Sequence, residues 1–442
     1  MNGLNARLLA IKCYINILSK KLFIEDSFSI LNTKVKDEEI KEDDISFIKN
    51  LLHQAIRNKF HLENILFQNI TKETNIKVIN LLILALCEYF YLSTKDYAII
   101  NTYVEASKKL NLTHYTSFIN GVLRNIFRKD KTELFQTPIF PVENEIYNDL
   151  ILSYGEQTAK SIYQELNHQK DLDLVLLNEN ILDKDFFTNK TTKIFNHLYR
   201  LNEYQKDVKT IAGFDKGSFF IQSFSSYFAI YLVSNYLENS NSIADLCASP
   251  GGKSILLNLY SKKNIDAYDI SKNKLLTMEH NLSRLNLNNS IHLYQKDILS
   301  FENFYNYDFI LIDSPCSATG TINKHPEIIH NKTLKDIKSL AENQFKLLNH
   351  VYQNTKPQTY IYYCTCSLQK QEGEEVINKL VNNKKDIKII PLNQNQDINH
   401  SLKDINGLQI DNIFTKQGLL RILPHHLFGG TEGFFAALLL KE

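Results

Sequence analysis

The stretch Ala244-Asp245-Leu246-Cys247-Ala248-Ser249-Pro250-Gly251-Gly252-Lys253-Ser254 decides the fold. An apolar run of strand length, Ser242 to Leu246, gives way to a Gly-Gly turn and then to a helical pattern. Glycines lacking side chains let the backbone approach a ligand closely, and the helix N-terminus offers unpaired N–H groups. The spacing is not GxxxxGK[ST], which disfavours a nucleoside triphosphate loop. Further apolar runs, Ile265 to Ile270, Ile291 to Tyr294, Phe309 to Ile312, Tyr360 to Cys364 and Phe434 to Leu440, alternate with helical segments. That alternation predicts a mostly parallel α/β sheet, whose ligands bind beyond the carboxyl ends of the strands.

Those strand ends carry the chemistry. Asp269 lies 24 residues beyond Asp245, where a carboxylate can accept hydrogen bonds from both hydroxyls of a ribose. Asp297, after the third strand, can accept from an exocyclic amine. Each aspartate alone reads as a cap or turn former. Together they describe a nucleoside pocket. Asp313-Ser314-Pro315-Cys316-Ser317-Ala318-Thr319-Gly320 ends the fourth strand, with the proline fixing a rigid turn between Asp313 and Cys316. The next strand delivers Cys364-Thr365-Cys366-Ser367 to the same edge. If that strand ran straight on, Cys364 and Cys366 would share a face, so alternation does not choose the reactive thiol. The bland alternative is that these cysteines are small buried hydrophobes. No pair has zinc-ligand spacing, and no metal is expected.

Upstream the pattern is helical. Leu4, Leu8, Ile11, Ile15 and Leu18 recur at helical spacing, as do Ile45, Ile48, Leu52 and Ile56, and Tyr115, Phe118, Val122 and Ile126. One-faced helices need one another as a core, so residues 1–140 are expected to form an all-helical domain. The acidic run from Asp37-Glu38-Glu39 to Glu42-Asp43-Asp44 reads as a solvated connector. Six basic residues (Lys108, Lys109, Arg124, Arg128, Lys129, Lys131) against Asp130 give a local net of +5, which reads equally as a solvated helix face or an RNA phosphate contact. Pro138 and Pro141 end this region. Residues 141–216 mix a helix, Ala159 to Leu166, with short apolar runs such as Leu172 to Leu177, and are expected to form a small α+β module before a domain at 217–442.

Composition sets the outer bounds. The chain has 442 residues, long enough for two or three domains, and 43% hydrophobic with 22% charged residues puts it in the globular range. The longest apolar run, Leu81 to Cys87, is cut by Glu88, well short of the roughly 20 residues that span a bilayer. The N-terminus lacks the pattern of a secretion signal. A cytoplasmic protein with reduced thiols and no membrane partner is therefore expected. A net charge of +1 from 50 basic and 49 acidic side chains gives no global argument for a nucleic-acid partner.

Asp-Leu-Cys-Ala-Ser-Pro-Gly-Gly-Lys-Ser, Asp-Ser-Pro-Cys-Ser-Ala-Thr-Gly and Tyr-Cys-Thr-Cys-Ser, in that order and separation, resemble motifs I, IV and VI of the Nop2/Sun RNA cytosine-5 methyltransferases. Phe118-Ile119-Asn120-Gly121-Val122-Leu123-Arg124 and Glu432-Gly433-Phe434-Phe435 resemble the branch with a NusB-type RNA-binding domain that acts on 16S ribosomal RNA. The middle departs: the family's Leu-Arg-x-Asn appears as Val175-Leu176-Leu177-Asn178, Ser223 stands where an acidic residue often follows Gln222, and Cys364 replaces the usual alanine of motif VI. The resemblance implies a multidomain chain, a NusB-like helical domain followed by a Rossmann-like class I methyltransferase. It implies S-adenosyl-L-methionine as co-substrate, held by Cys247, Ala248, Ser249, Pro250, Gly251, Gly252, Lys253, Asp269, Asp297 and Asp313. It also implies that Cys366 is the nucleophile, that Cys316 assists product release, and that Asp313 hydrogen-bonds the activated base at N3. The implied substrate is 16S rRNA, free or partly assembled, acted on by a monomer. Transfer RNA is the nearest rival substrate, because related enzymes share all three motifs. A non-catalytic RNA-binding protein and a DNA cytosine methyltransferase are further alternatives; in the latter the Pro-Cys thiol itself attacks.

Overall fold

The computed structural model describes residues 3–32, 41–134, 139–177, 189–202, 208–394, 405 and 407–442. Asp37 to Glu39, Pro138 and Asn178 fall outside them. The chain divides into two units, one formed by residues 1–148 with 324–332, the other by 149–323 with 333–442.

The first unit is helical. Its centre is the helix Ile76–Tyr91, buried continuously from Val78 to Glu88. The apolar run that falls short of a membrane span is thus the core of a bundle, and among the described residues no helix is long and apolar enough to cross a membrane. Glu88 is fully buried within that run, and its charge is met by Arg7, whose Nε lies 2.8 Å from Oε2 while a second guanidinium nitrogen donates to Oε1. Burial of that carboxylate is tolerable only because it is paired. Around it pack Gly3–Lys20, Glu42–Arg57, Lys59–Phe67, Asp96–Lys109 and Thr116–Phe127. In the first helix the deepest residues are Ala6, Leu9, Ala10, Ile11, Cys13, Tyr14 and Ile17, whereas Leu4, Leu8, Ile15 and Leu18 of the expected stripe are half-buried flanks. Neighbours on several sides rotate the buried face. Glu42-Asp43-Asp44 are not a connector: they form the first turn of Glu42–Arg57, where carboxylates complement the helix dipole. In the basic region, Lys108 pairs with Glu105 at 2.9 Å and Lys131 lies 3.9 Å from the centre of the Tyr89 ring.

Residues 324–332 join this unit although the sequence puts them between sheet strands. Ile328 and Ile329 are buried, Asn331 Nδ2 donates to Leu22 O at 3.2 Å, and the Ile24 N–H donates to Glu327 at 3.3 Å. His330 Nε2 lies 2.9 Å from Ile56 O, and burial pushes its imidazole down to about 3.

The second unit contains two sheets. The smaller is antiparallel, β1 Asp173–Leu176, β2 Thr191–Phe195, β3 Leu198–Leu201 and β4 Phe219–Ile221, in the order β2-β3-β1-β4. The larger holds β5 Ile243–Leu246, β6 Ile265–Asp269, β7 Ile291–Gln295, β8 Phe309–Asp313, β9 Tyr360–Thr365, β10 Ile387–Ile390, β11 Leu420–Ile422 and β12 Phe434–Lys441. Its order is β10-β12-β9-β8-β5-β6-β7, with β11 on β12. β5 to β9 pair in parallel, and β12 is antiparallel to β9 and β10. The expected strands agree with the observed ones within one residue. β5 is flanked by β6 and β8, so the strand order reverses between β5 and β8. Crevices beyond the strands' carboxyl ends at such a reversal are where ligands bind in α/β sheets.

Candidate active site

β5 ends at Leu246, and the chain turns at once: Cys247 takes a left-handed φ of 62° and the Ala248 N–H donates to Tyr268 O at 2.9 Å. Gly251, with φ 105°, leads into the helix Gly252–Ser261. A Cβ at Gly251 would be strained by that φ and would press on Met278 at 2.9 Å, so only glycine fits. Ala248, Pro250, Gly251 and Gly252 build the turn; Cys247 and Ser249 line the cavity beside it.

That cavity has a volume of about 480 Å³. Asp269, Asp297, Asp313, Pro315, Cys316 and Cys366 also border it, which brings the sequence-predicted residues of β5, β6, β7, β8 and β9 to one place. Asp269 is 6% exposed; its Oδ2 accepts the Ser249 N–H at 3.2 Å and its Oδ1 the Ser271 N–H at 2.9 Å, which ties the Gly-Gly turn to the end of β6. Asp297 is exposed, and its Oδ1 accepts the Leu299 N–H at 3.0 Å. Lys253 reaches from the first helical turn to Asp313, Nζ to Oδ2 2.7 Å. Burial opposes the Lys253 charge, but Asp313 outweighs it and the ammonium is held firmly protonated. Deeper, Asp245 is fully buried and hydrogen-bonded by Ser254, and burial pushes its carboxyl up to about 7.

The two cysteine loops meet. Cys316 Sγ lies 3.4 Å from Cys366 Sγ. β9 ends at Thr365, so alternation stops before Cys366: Cys364 is fully buried in the core while Cys366 is half-buried at the cavity wall. Main-chain bonds lock the loops together, from the Ser314 N–H to Cys364 O at 3.0 Å, from the Gly320 N–H to Cys366 O at 2.9 Å, and from the Gly433 N–H to Gly320 O at 2.9 Å. Hydrogen bonding with Cys366, burial, and the charges of Cys366 and Glu372 hold the Cys316 thiol well above the ordinary range.

Some of the site has no signal in the sequence. Gln344, from the helix Leu334–Gln353, lines the cavity and donates to Pro315 O at 2.9 Å. Arg421 of β11 is buried and donates to Ser367 O at 2.6 Å. Neither lies near a recognisable motif. Among the described residues no cluster of side chains suits a metal ion.

Comparison with known proteins agrees with this architecture. Residues 233–440 match the family model described as 16S rRNA methyltransferase RsmB/F, and residues 4–128 match the NusB family. The chain is 27% identical over 439 residues to a probable ribosomal RNA small subunit methyltransferase B of Bacillus subtilis, covering 93% of this chain and 94% of that protein. It is 27% identical over 410 residues to ribosomal RNA small subunit methyltransferase B of Shewanella oneidensis, covering 88% and 93%. Among solved structures, PH0851 superposes with a TM-score of 0.72 at 17% identity, covering 99% of this chain and 98% of that one. NSun6 from Pyrococcus horikoshii gives a TM-score of 0.54 at 18% identity, covering 67% and 97%. The chain therefore joins a NusB family domain to a methyltransferase domain of the 16S rRNA methyltransferase RsmB/F family.

Proposed function

We propose that this protein transfers a methyl group from S-adenosyl-L-methionine to C5 of a cytosine in 16S ribosomal RNA. The observation that carries the reading is the meeting of Cys316 and Cys366, 3.4 Å apart, at the wall of an aspartate-lined cavity beyond the strand ends. The fit to the co-substrate rests on that cavity: Asp269 and Asp297 offer acceptors for ribose hydroxyls and an adenine amine, and the buried Ser249 hydroxyl has no partner among the described residues. S-adenosyl-L-methionine supplies a methyl group on a sulfonium centre.

Cytosine C5 is a poor nucleophile until a thiolate adds to C6. In this reading the Cys366 thiolate forms that bond, C5 takes the methyl group as S-adenosylhomocysteine leaves, a base takes the C5 proton, and the electron pair of that C–H bond restores the ring double bond as the thiolate leaves C6. Cys316, touching Cys366, serves the release, and Asp313, held by Lys253, hydrogen-bonds the base at N3. The target base must leave its stack, which favours 16S rRNA that is free or partly assembled. Residues 1–140 serve as the RNA-binding domain, 141–216 as a connecting module, and 217–442 carry the transfer, in a cytoplasmic monomer. The test is nucleoside mass spectrometry after incubation of the full chain with S-adenosyl-L-methionine and either unmodified 16S rRNA or unmodified tRNA. 5-Methylcytidine in the 16S rRNA alone is expected; its appearance only in tRNA, or in neither, defeats the reading.

A further inference from the structure

Behind the two thiols lies a carboxylate that the transfer steps do not use. Glu372 is fully buried, a costly place for a charge unless every lone pair finds a donor. Its Oε1 accepts the Ser317 N–H at 2.8 Å and Gln344 Nε2 at 2.9 Å. Its Oε2 accepts the Ser367 hydroxyl at 2.6 Å and also the Ser317 hydroxyl. Ser317 and Ser367 are the residues that immediately follow Cys316 and Cys366. One carboxylate thus grips the same position on both cysteine loops. Tyr363 in turn fixes Glu372, its hydroxyl donating to the Glu372 carbonyl at 2.9 Å.

We propose that Glu372 is a positioning residue for the methyl transfer, clamping the loops of Cys316 and Cys366 so that their sulfurs meet. The proposal rests on the reading of these cysteines as nucleophile and release partner. The clamp also sets a carboxylate beside the Cys316 thiol. The Glu372 charge acts on Cys316, and the Lys253 cation, from the first turn of the helix after β5, acts on Cys364 and Cys366. Glu372 adds to the hydrogen bond with Cys366 and the burial that already push the Cys316 thiol up. Tyr363 of β9 is a further titratable group that feels the Cys316 charge, and the helix Leu334–Gln353 contributes the uncharged Gln344.

The experiment uses the full chain with two readouts. The first is single-turnover capture of RNA containing 5-fluorocytosine, which cannot lose its C5 substituent as a proton and so accumulates the covalent adduct. The second, in a Cys366→Ser background, is the pH dependence of Cys316 alkylation by iodoacetamide, which reads thiolate formation. Glu372→Gln is expected to slow capture about 100-fold, as loss of alignment does, with S-adenosyl-L-methionine affinity by calorimetry unchanged. Removing the anion should also move the Cys316 alkylation midpoint to lower pH, which a purely structural role would not do. Ser317→Ala, which removes one arm, should slow capture about tenfold and keeps the test open if Glu372→Gln does not fold. Capture by both variants within about twofold of the unsubstituted protein, or an unmoved midpoint, overturns the proposal. Absence of any adduct with the unsubstituted protein overturns the transfer reading instead, and the alkylation midpoint still decides whether Glu372 governs Cys316.

Discussion

Lys253 Nζ lies 2.7 Å from Asp313 Oδ2, joining the turn after β5 to the end of β8 across the point where the strand order reverses. A helix-start lysine has no obligation to face inward. Here it neutralises a carboxylate that the sheet directs into the cavity. Lys253→Met leaves that carboxylate without its cation and should cost about 1–3 kcal/mol in denaturant unfolding. Asp313→Asn should act in the same direction, and the double variant should cost less than the two losses added, the signature of a direct pair.

The cysteine assignment makes an asymmetric prediction. Cys366→Ala should abolish turnover and leave no covalent species. Cys316→Ala should instead accumulate a protein–RNA adduct, seen as a slow band on a denaturing gel that disappears on ribonuclease treatment. A band from the Cys366 variant and none from the Cys316 variant would reverse the two roles.

Gly320 stands where the two loops and the segment before β12 come closest. A Cβ there would approach Cys366 O to 2.7 Å and Gly433 O more closely still. Gly320→Ala must therefore push apart backbone that is hydrogen-bonded on both sides, and a loss of about 1–3 kcal/mol is expected. Chemical denaturation measures the stability, and capture of 5-fluorocytosine RNA should fall in parallel because Cys366 moves with its carbonyl.

Burial holds His330 at about 3 and, with the charge of His425 nearby, His426 at about 4, against an ordinary 6.5. Both are neutral in the folded chain while the unfolded chain takes up protons, so their contribution is fully present above about pH 6.5 and is lost as pH falls toward their folded values. The urea midpoint should drop from pH 7 to pH 5. His330→Gln, though less stable at pH 7, should show a shallower drop.

Much of the site could be read from the sequence, and the reason is local. Gly251, Gly252, Pro315 and Cys366 sit at strand ends, where the residues that set the turn also carry the chemistry, so a short stretch holds both signals. Glu372 is different. In Gln371-Glu372-Gly373-Glu374-Glu375 it reads as one of several surface acids, and only the folding of this segment back under the Cys316 loop buries it. Glu42-Asp43-Asp44 differ from the sequence expectation for a related reason: an acidic run looks the same as solvated linker and as a helix's first turn until the following residues pack. β10 and β11 are short and lie away from every motif, so nothing in the sequence sets them apart from the loops around them.

The allotment of residues 324–332 to the helical unit has a practical consequence for how this molecule can be divided. The chain passes from one unit to the other three times, at 148/149, 323/324 and 332/333. A single cut after residue 148 therefore does not release a finished catalytic half. It strips the cover from Ile328, Ile329 and His330, in a segment that begins eight residues beyond Cys316. Neither half is a cassette that could be exchanged, by an experimenter or by recombination, without carrying a piece of the other.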